Sequence, residues 1–467
     1  MNEVSKILVF LAVTFLIILV AILTTNTLNN LEYYSFIKLM VFLLYIISVF
    51  YSMKKYGVFH SITLFLFSFF LFNISRIFLD LINVKSMDFS DKYVFYLIES
   101  STYNIVLNSF FIFLFVFLMV IFLINKPNYV LTLKNNVFLE KIMTYLIIIL
   151  TPIVLVKHFQ ELTSFFMNNK SYFSMFDNKS TSDSILNYIW FFYYFIIPIY
   201  FSSLPKMKIR KFIYFIVAFV IFLDSLKGSR GVLLRPIVFY IWYFNLRGFK
   251  FNKINLFLGV FFIPLLSNVY VWFREGGKVF LDYFKSLVVF LYSQGVTLVF
   301  FVNYIDFQNR IPNSSKYYFL SGIIEPIRRY ILDRELYNSG RNLEFVKSTF
   351  SLDHKLMYTL DQELYFEGVG YGSNIVAEFL AFGDEIGVVF LTIIFLFIIL
   401  KIEKYSRSSR AVLIISFYWI QNLVWSPRGT MFPNIIFVMI SLFLFFIIKF
   451  FCYINSFLNK KSECNAP

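Results

Sequence analysis

Three short segments of this 467-residue chain place arginine beside glycine at the predicted end of a helix. They are DSLKGSRGVLLRP with Lys227 and Arg230, WFREGGKV with Arg274 and Lys278, and WSPRGT with Arg428. The planar guanidinium of arginine binds phosphate oxygens in pairs and stays charged, and glycine lets the backbone approach a ligand. The pattern predicts an anion site in which a diphosphate would be neutralised without a metal ion. The alternative is that the glycines only form turns and that the cations reach lipid headgroups.

The segment GVGYGSNIVAEFLAFGDEIG, residues 368–387, interrupts the apolar pattern where a membrane span should begin. Its first three glycines suit turns with positive φ, and Ser373 or Asn374 suits the N-cap of a helix beginning at Ile375. Free backbone N–H groups at such a helix start would cradle an anion. The polar run 383–385 is expected to weaken the helix two turns later, as in the broken helices that line cavities. The alternative is an ordinary capped helix with a polar first turn.

Four ionisable residues lie within or at the ends of apolar runs, namely Arg76, Asp224, Arg235 and Glu378. Ionisable groups in hydrocarbon are costly and therefore usually face a bundle interior or a watery cavity. Asp224 and Arg235 bracket the GSRG turn, and Glu378 lies one turn into the helix expected to begin at Ile375. Arg76 is expected to pair with Asp80, four residues further on, rather than to belong to a site.

The elements that position these residues are membrane helices. Hydrophobic residues make up 59% of the chain and charged residues only 15%, and many apolar runs are long enough to cross about 30 Å of hydrocarbon. We predict an all-α polytopic membrane protein with about twelve transmembrane helices. The first is expected to be a retained span rather than a signal peptide. The predicted spans are 7–23, 37–51, 58–79, 105–124, 142–156, 185–201, 212–226, 232–246, 254–273, 375–400, 411–425 and 432–451.

Basic clusters between these spans predict the orientation. Lys54-Lys55 and the clusters at 206–211, 247–253 and 401–410 fall on the same side of the threading, which predicts that this side and both termini are cytoplasmic. The apolar run 287–301 would invert the end of the chain if it were counted. We therefore predict a re-entrant or interfacial segment there, which its polar Ser-Gln-Gly interruption supports. A true span, compensated by another elsewhere, is the alternative.

This threading divides the chain into three parts. Residues 1–273 hold nine transmembrane helices, residues 274–374 form an outer-face region, and residues 375–467 hold the last three helices and a short cytoplasmic tail. The outer region contains the re-entrant segment and a polar stretch of about seventy residues from Asn303, which is too long for a simple connector.

Composition excludes several other classes of protein. The net charge is +15, but the basic residues form short clusters between apolar runs rather than one soluble face, so no nucleic-acid partner is expected. The two cysteines and three histidines are placed without the spacing of a disulfide framework or a zinc site. No metal and no cofactor is expected.

The glycines, the Ser373 that follows them, the Ala-Glu pair at 377–378 and the FGDEIG sequence resemble the Wzy-type O-antigen or oligosaccharide repeat-unit polymerases. The long outer loop, the twelve spans and the GSRG and SPRG turns are also similar to that family. The resemblance covers the layout and three short motifs, mainly in the second half of the chain. These polymerases in turn resemble the GT-C class of glycosyltransferases.

The resemblance implies a metal-independent transfer of a growing glycan from one undecaprenyl diphosphate carrier to the sugar end of a newly delivered lipid-linked repeat unit. The reaction would take place at the periplasmic face of a bacterial inner membrane and serve lipopolysaccharide biosynthesis. The implied partners are the lipid-linked donor and acceptor and the bilayer, with a chain-length regulator and a flippase as further protein partners.

The resemblance also assigns roles to individual residues. A leaving diphosphate needs cations, and the acceptor hydroxyl needs a general base. Glu378 and His354 compete for the role of base, with Asp224 and Glu367 behind them. Tyr371 would contact a sugar or be an interfacial aromatic residue. The expected diphosphate and substrate ligands are Arg230, Arg274, Arg428, Lys227, Lys278, Tyr371 and Ser373.

Two other functions fit parts of the pattern. An O-antigen ligase shares the membrane, the carrier lipid and the bond chemistry, and only the motif likeness separates it from a polymerase. A lipid-linked oligosaccharide flippase also needs cations along its cavity, but its two related halves can be joined by short outer loops. The single long outer loop therefore argues against a flippase.

Overall fold

The computed structural model describes residues 30–82, 84, 100–125, 130–167, 185–226, 230–249 and 283–464. These ranges fold into α-helices with short 3₁₀ and π turns, and they contain no β-strand, which confirms the predicted all-α class. The bundle helices before residue 250 are α1 (Asn30–Tyr56), α2 (Ser61–Phe69), α3 (Ser75–Leu81), α4 (Ser100–Leu123), α5 (Val137–Met167), α6 (Ile185–Ser202), α7 (Met207–Ser225) and α8 (Arg230–Leu246). A π-helical turn, Phe70–Ile74, joins α2 to α3.

The second half of the chain begins with short helices and ends with three long ones. The short helices are α9 (Tyr283–Gln294), α10 (Val296–Phe307), α11 (Ser321–Ile327), α12 (Arg334–Asn338), α13 (Leu343–Ser348), α14 (Leu352–Leu360) and α15 (Gln362–Phe366). The long helices are α16 (Ile375–Tyr405), α17 (Arg410–Trp425) and α18 (Ile435–Cys464). The predicted division of the chain at residues 273 and 374 stays a prediction.

Among the described residues, 7 helical stretches are long and apolar enough to cross a membrane. A backbone in hydrocarbon must bond its own polar groups, which is why these runs are helical. The predicted spans at 212–226, 232–246 and 411–425 correspond to α7, α8 and α17, and α18 has a shorter apolar part, Ile435–Phe451. The predicted spans at 7–23 and 254–273 lie outside the described residues.

Aromatic pairs order the centre of the bundle. Phe65 of α2 stacks on Phe117 of α4 at 5.6 Å, and Phe69 stacks on Phe113 at 5.0 Å, so these two helices run antiparallel. Helix α16 packs on the same pair through Phe395, whose ring lies edge-on to Phe65 at 5.1 Å. Such ring pairs add about 0.5–1.5 kcal/mol each beyond their buried area.

A buried polar cluster closes one end of the bundle. The fully buried carboxylate of Glu403 accepts hydrogen bonds from Ser61 at 2.7 Å and from the Trp242 indole at 2.8 Å, and it pairs with Arg407 at 2.9 Å. The start of α2, the last turns of α8 and the end of α16 therefore meet at Glu403. Removing one partner of such a buried pair costs about 3–5 kcal/mol.

The basic clusters lie at this same end. Lys55 donates to the carbonyl of Ile121 at 2.5 Å, and Arg247 donates to the carbonyl of Pro205 at 2.9 Å, beside the cluster at 206–211. The described parts of the four predicted basic clusters therefore lie at one end of the bundle, which agrees with their predicted placement on one side of the membrane. We call this the basic end of the bundle and the opposite end the site end.

Helices α9 and α10 form the predicted re-entrant segment and are separated at Gly295. Together they are long enough to cross a membrane by length and composition. Their contacts, however, are with α3 and with the half of α4 nearer the site end: Ser75 donates to the carbonyl of Leu291 at 3.0 Å, and Thr102 donates to Asp306 at 2.5 Å. This placement favours a re-entrant or interfacial segment over a true span, and the choice between them stays a prediction.

Candidate functional site

The SPRG turn packs directly on the glycine-rich segment. Arg428 ends a 3₁₀ turn that follows α17, and its carbonyl accepts a hydrogen bond from the backbone N–H of Ser373 at 3.1 Å. Gly372 has a φ of +82°, and a Cβ at this position would lie 3.2 Å from Cγ and Nε of Arg428. Both the positive φ and the close approach require glycine here. Two of the predicted motifs are thus in contact.

Asn374 is the N-cap of α16, one of the two caps expected from the sequence. Its Oδ1 accepts from the N–H groups of Val376 at 2.9 Å and Ala377 at 3.3 Å. Its Nδ2 donates to Oδ1 of Asn73 at 2.6 Å, and Asn73 donates to the carbonyl of Pro427 at 3.3 Å. Asn374 thus occupies two of the N–H groups at this helix start, and the anion cradle expected there stays a prediction.

Glu378 and Tyr371 are buried beside this network. Glu378 is fully buried, and its Oε1 accepts a hydrogen bond from Ser373 Oγ at 2.6 Å. Tyr371 is 3% exposed, its hydroxyl accepts from Asn303 at 2.9 Å, and its ring packs near Phe300. Both side chains are therefore buried against the segment, and their predicted roles at the site stay predictions.

A cavity of about 420 Å³ opens in the outer region, which we call the outer cavity. This volume lies within the range of roughly 300–1,000 Å³ that is usual for ligand sites. It lies between α11, α13, α14 and the segment that leads into α18, and it combines charged, hydroxyl and aromatic groups. The residues that line it include Glu325, Arg329, Tyr337, Arg341, Phe345, His354, Asn422, Thr430 and Asn434.

His354 borders the outer cavity and is held from behind. Its Nδ1 lies 3.3 Å from the Tyr365 hydroxyl, and its ring is edge-on to Phe345 at 5.1 Å. Arg341 links this wall to the glycine-rich segment, because its guanidinium donates to the carbonyls of Tyr365 at 2.9 Å and Val369 at 2.7 Å. The histidine therefore has a defined orientation at the cavity wall.

A buried lysine holds the outer region together. Lys355 is 1% exposed and donates to the carbonyls of Pro312 at 2.9 Å, Asn313 at 2.5 Å and Lys347 at 3.2 Å. Burial lowers the pKa of Lys355 to about 8, while the carboxylate of Glu325 opposes that change. Three chain segments that differ in sequence position are thereby joined below the cavity.

A second cavity of about 280 Å³ lies within the bundle, between α6, α7, α8, α17 and α18, and we call it the membrane cavity. Aromatic side chains form part of its wall, and Asp224 and Arg235 are its charged residues. Asn422 and Asn434 line both this cavity and the outer cavity. The two cavities therefore adjoin at these asparagines.

Trp425 brings the start of α8 to the SPRG turn. The guanidinium carbon of Arg235 lies 4.6 Å from the Trp425 ring centre, and that of Arg428 lies 5.8 Å from it. A Cβ at Gly231 would lie 3.1 Å from the same ring. Arg230, the first residue of α8, is therefore next to this junction, although its side chain lies outside the described residues.

The third Arg–Gly turn cannot be placed in the same way. Lys227, Arg274 and Lys278 lie outside the described residues. Of the GSRG sequence, Gly231 lies beside Trp425, and the predicted convergence of Arg230, Arg274 and Arg428 stays a prediction.

Several residues at the site were not singled out from the sequence. Asn73, Asn422 and Asn434 carried no motif, and Glu325 and Arg341 were indistinguishable from other charges of the outer stretch. Arg235 did give a signal, since it is an arginine within an apolar run. Asp80, expected to pair with Arg76, forms an ion pair with Lys38 at 2.5 Å, and Arg76 donates to the carbonyl of Tyr292 at 3.0 Å.

Comparison with protein-family models gives a match over nearly the whole chain. The model described as O-antigen polysaccharide polymerase Wzy matches residues 7–461. Comparisons with curated proteins and with solved structures returned no match. A match of this length includes the bundle helices, the outer region and the Arg–Gly motifs of the sequence. The chain therefore belongs to the O-antigen polysaccharide polymerase Wzy family.

Proposed function

We propose that this protein joins undecaprenyl-diphosphate-linked repeat units into polysaccharide at the periplasmic face of the inner membrane. Family membership and the apolar helices make it a glycosyltransferase-type polymerase of a bacterial membrane. The basic end of the bundle supports the orientation, because loops rich in lysine and arginine usually stay in the cytoplasm. The site end and the outer region then face the periplasm, where the lipid-linked units are joined.

The observation that carries the proposal is the contact between the SPRG turn and the glycine-rich segment beside two adjoining cavities. Arg428 lies at this contact through the hydrogen bond from Ser373, and Arg230 begins the helix that packs on Trp425. A lipid-linked sugar has a polar glycan, a charged diphosphate and an apolar chain. The outer cavity, the arginines and the membrane cavity offer surroundings suited to these three parts, in that order.

The reaction that fits this arrangement is a substitution at the anomeric carbon of the donor. The hydroxyl oxygen at the sugar end of the acceptor attacks C1 of the sugar next to the donor diphosphate. The C1–O bond breaks, and the lipid diphosphate leaves with the bonding electrons. Arg428 stabilises the negative charge that develops on the leaving group, and in this proposal Arg230, Arg274, Lys227 and Lys278 assist it.

The general base in this proposal is His354 rather than Glu378. His354 borders the outer cavity, whereas Glu378 is fully buried behind Ser373 and lines neither of the two cavities described above. The proton of the acceptor hydroxyl passes to the imidazole of His354. Glu378 keeps Ser373 in place, and Ser373 in turn bonds to the Arg428 carbonyl.

Deletion of the gene, followed by separation of the surface glycan on a gel, tests this function. A polymerase is expected to leave core carrying a single repeat unit, with the ladder lost, and restoring the gene should restore the ladder. Polymer that stays on its carrier lipid without attachment to core would instead identify a ligase. Repeat units retained on the cytoplasmic side would identify a flippase.

A further inference from the structure

The outer cavity and the membrane cavity adjoin each other, and this suggests how one substrate is held. We propose that a single prenyl-diphosphate-linked glycan occupies both cavities, with its prenyl chain in the membrane cavity and the phosphate next to that chain bound by Arg235. The glycan lies in the outer cavity. This inference rests on the proposed function and assigns a binding residue and a chain groove to it.

The junction between the cavities is polar on both sides. Nδ2 of Asn422 donates to the carbonyls of Thr430 at 3.0 Å and Met431 at 3.1 Å, and Oδ1 of Asn434 accepts from the N–H of Ile436 at 3.1 Å. Within the described part of the chain, the other amide atom of each asparagine has no hydrogen-bond partner. One acceptor and one donor are thus available where the phosphate of a ligand gives way to its first sugar.

Arg235 carries the positive charge of the membrane cavity. Its guanidinium lies over the Trp425 ring, and its Nε is buried and has no hydrogen-bond partner among the described residues. A buried donor without a partner costs about 1–3 kcal/mol, and more when it is charged. A phosphate oxygen would supply the missing acceptor through a charge-assisted hydrogen bond.

The one carboxylate that lines the membrane cavity has a basic neighbour of its own. Oδ1 of Asp224 lies 3.6 Å from Nδ1 of His158, a fully buried residue of α5. The imidazole ring packs edge-on against Trp190, another residue of the cavity wall. Asp224 therefore has a histidine neighbour that is not itself a lining residue of the cavity, and Arg235 has a donor without a partner among the described residues.

The wall of the membrane cavity suits a hydrocarbon chain that enters from the bilayer. Trp190, Tyr194 and Phe437 contribute aromatic surface, and Phe191 lines the cavity while 40% of its own surface stays exposed. The cavity therefore reaches the lipid-facing surface of α6. A prenyl chain can enter there sideways while its diphosphate moves toward Arg235 and the site end.

Binding of farnesyl diphosphate to the purified full-length protein in lipid nanodiscs tests the proposal, with inorganic diphosphate and farnesol as the two half-ligands. We expect saturable binding of farnesyl diphosphate that Arg235→Gln weakens at least about tenfold, the loss of one charge-assisted hydrogen bond. Arg235→Lys should weaken it less, because the charge is kept. Farnesol binding should be unchanged in both variants, and inorganic diphosphate should bind more weakly than farnesyl diphosphate.

The matched control is Arg247→Gln, which removes an arginine directly after the same helix α8, at the basic end. It should bind farnesyl diphosphate as the wild type does. A photoactivatable farnesyl diphosphate is expected to label peptides of the helices that line the membrane cavity, α6, α7, α8, α17 or α18. Wild-type affinity in Arg235→Gln, labelling confined to other helices, or no saturable binding by the wild type would each overturn the proposal. The proposed function itself is tested separately, by complementation of the deletion strain. If the wild-type gene restores no polymer there, the proposed function fails, whatever the binding results are.

Discussion

Arg428 contributes through two separate parts of the residue. Its carbonyl accepts the hydrogen bond from Ser373, and its side chain packs against Gly372 and lies near Trp425. The main chain therefore fixes where the guanidinium can reach. A substitution at this position removes the charge but keeps the carbonyl, so the fold and the function can be tested separately.

Arg428→Ala is expected to lower polymer formation by about 10²-fold, the size of effect seen when one stabilising group at a developing charge is lost. Arg428→Lys should be intermediate, because lysine keeps the charge but cannot bind two phosphate oxygens through a planar fork. The glycan ladder, normalised to protein level, measures both. Arg310→Ala removes an exposed arginine of the outer region and is the control. A normal ladder from Arg428→Ala at normal protein level would contradict the role.

His354→Gln is expected to lower the initial rate of polymerisation by about 10²–10⁴-fold if the imidazole is the base. Tyr365→Phe removes the hydroxyl that lies 3.3 Å from Nδ1 and should have a smaller effect, because the ring of His354 keeps its contact with Phe345. Rates are measured with purified lipid-linked repeat units. Glu378→Gln serves as the comparison, and a larger loss of rate there than in His354→Gln would return the role of base to Glu378.

Residue types predicted local roles well and long-range partners poorly. The cap at Asn374 was predicted from its position before an apolar run. The approach of the SPRG turn to the glycine-rich segment was predicted because the threading places both on the same side of the membrane. The bond between Asn374 and Asn73 joins positions 301 residues apart. Hydropathy gives the depth of a residue in the membrane but not the neighbour it meets, so this network and the asparagines at the cavity junction were not foreseen.

At the scale of elements, α16 has an interruption of its helical backbone at the polar run 383–385. Gly383 and Asp384 have non-helical backbone angles inside the helix, as the GDE run predicted, and Asp384 has a φ of +51°. The break brings Gly387 against the carbonyl of Phe379, where an added Cβ would lie 2.5 Å away. The second glycine of FGDEIG is therefore required by packing, whereas the first is not crowded.

Gly387→Ala is expected to destabilise the protein by about 1–3 kcal/mol, the usual cost of forcing extra volume into a packed site. Gly383→Ala is the matched control, because its φ of −178° is open to any residue and no atom lies within 4 Å of the added Cβ. Thermal unfolding of both variants in detergent measures the difference. Equal melting temperatures would show that the contact with Phe379 does not limit stability.

The segment formed by α9 and α10 was harder to assign from the sequence. The segment of α9 and α10 is apolar enough to span, yet its described contacts lie toward the site end. Apolar length alone does not distinguish a span from a segment buried by other helices. The polar interruption before Gly295 was the useful signal, because it coincides with the boundary between the two helices.

At the scale of the whole molecule, the charges separate into two ends. The basic clusters gather where Glu403 joins α2, α8 and α16, and the outer region with its cavity lies at the opposite end. The threading predicted that the basic clusters and the outer region lie at opposite ends, because loop charge and the number of spans can both be counted from the sequence. The shape of the outer cavity could not be predicted, since it depends on how seven short helices and turns pack together.

Single cysteines test the orientation of the whole molecule. In a variant with Cys452 and Cys464 replaced by serine, Ser314→Cys in the outer region should react with a membrane-impermeant maleimide added to spheroplasts. Ser408→Cys at the basic end should react only after the membrane is opened. Both serines are exposed. Labelling of Ser408→Cys in intact spheroplasts would reverse the proposed orientation.

The two fastened ends of α16 have a mechanical consequence. Asn374 ties the first turn to the network at the site end, and Glu403 ties the last turns to the opposite end, while Gly383 and Asp384 interrupt the hydrogen-bonded ladder between them. Bending concentrates at such an interruption. We therefore expect movement of α16 to take the form of a tilt of its short first segment about Gly383 and Asp384, while the longer second segment keeps its place in the bundle.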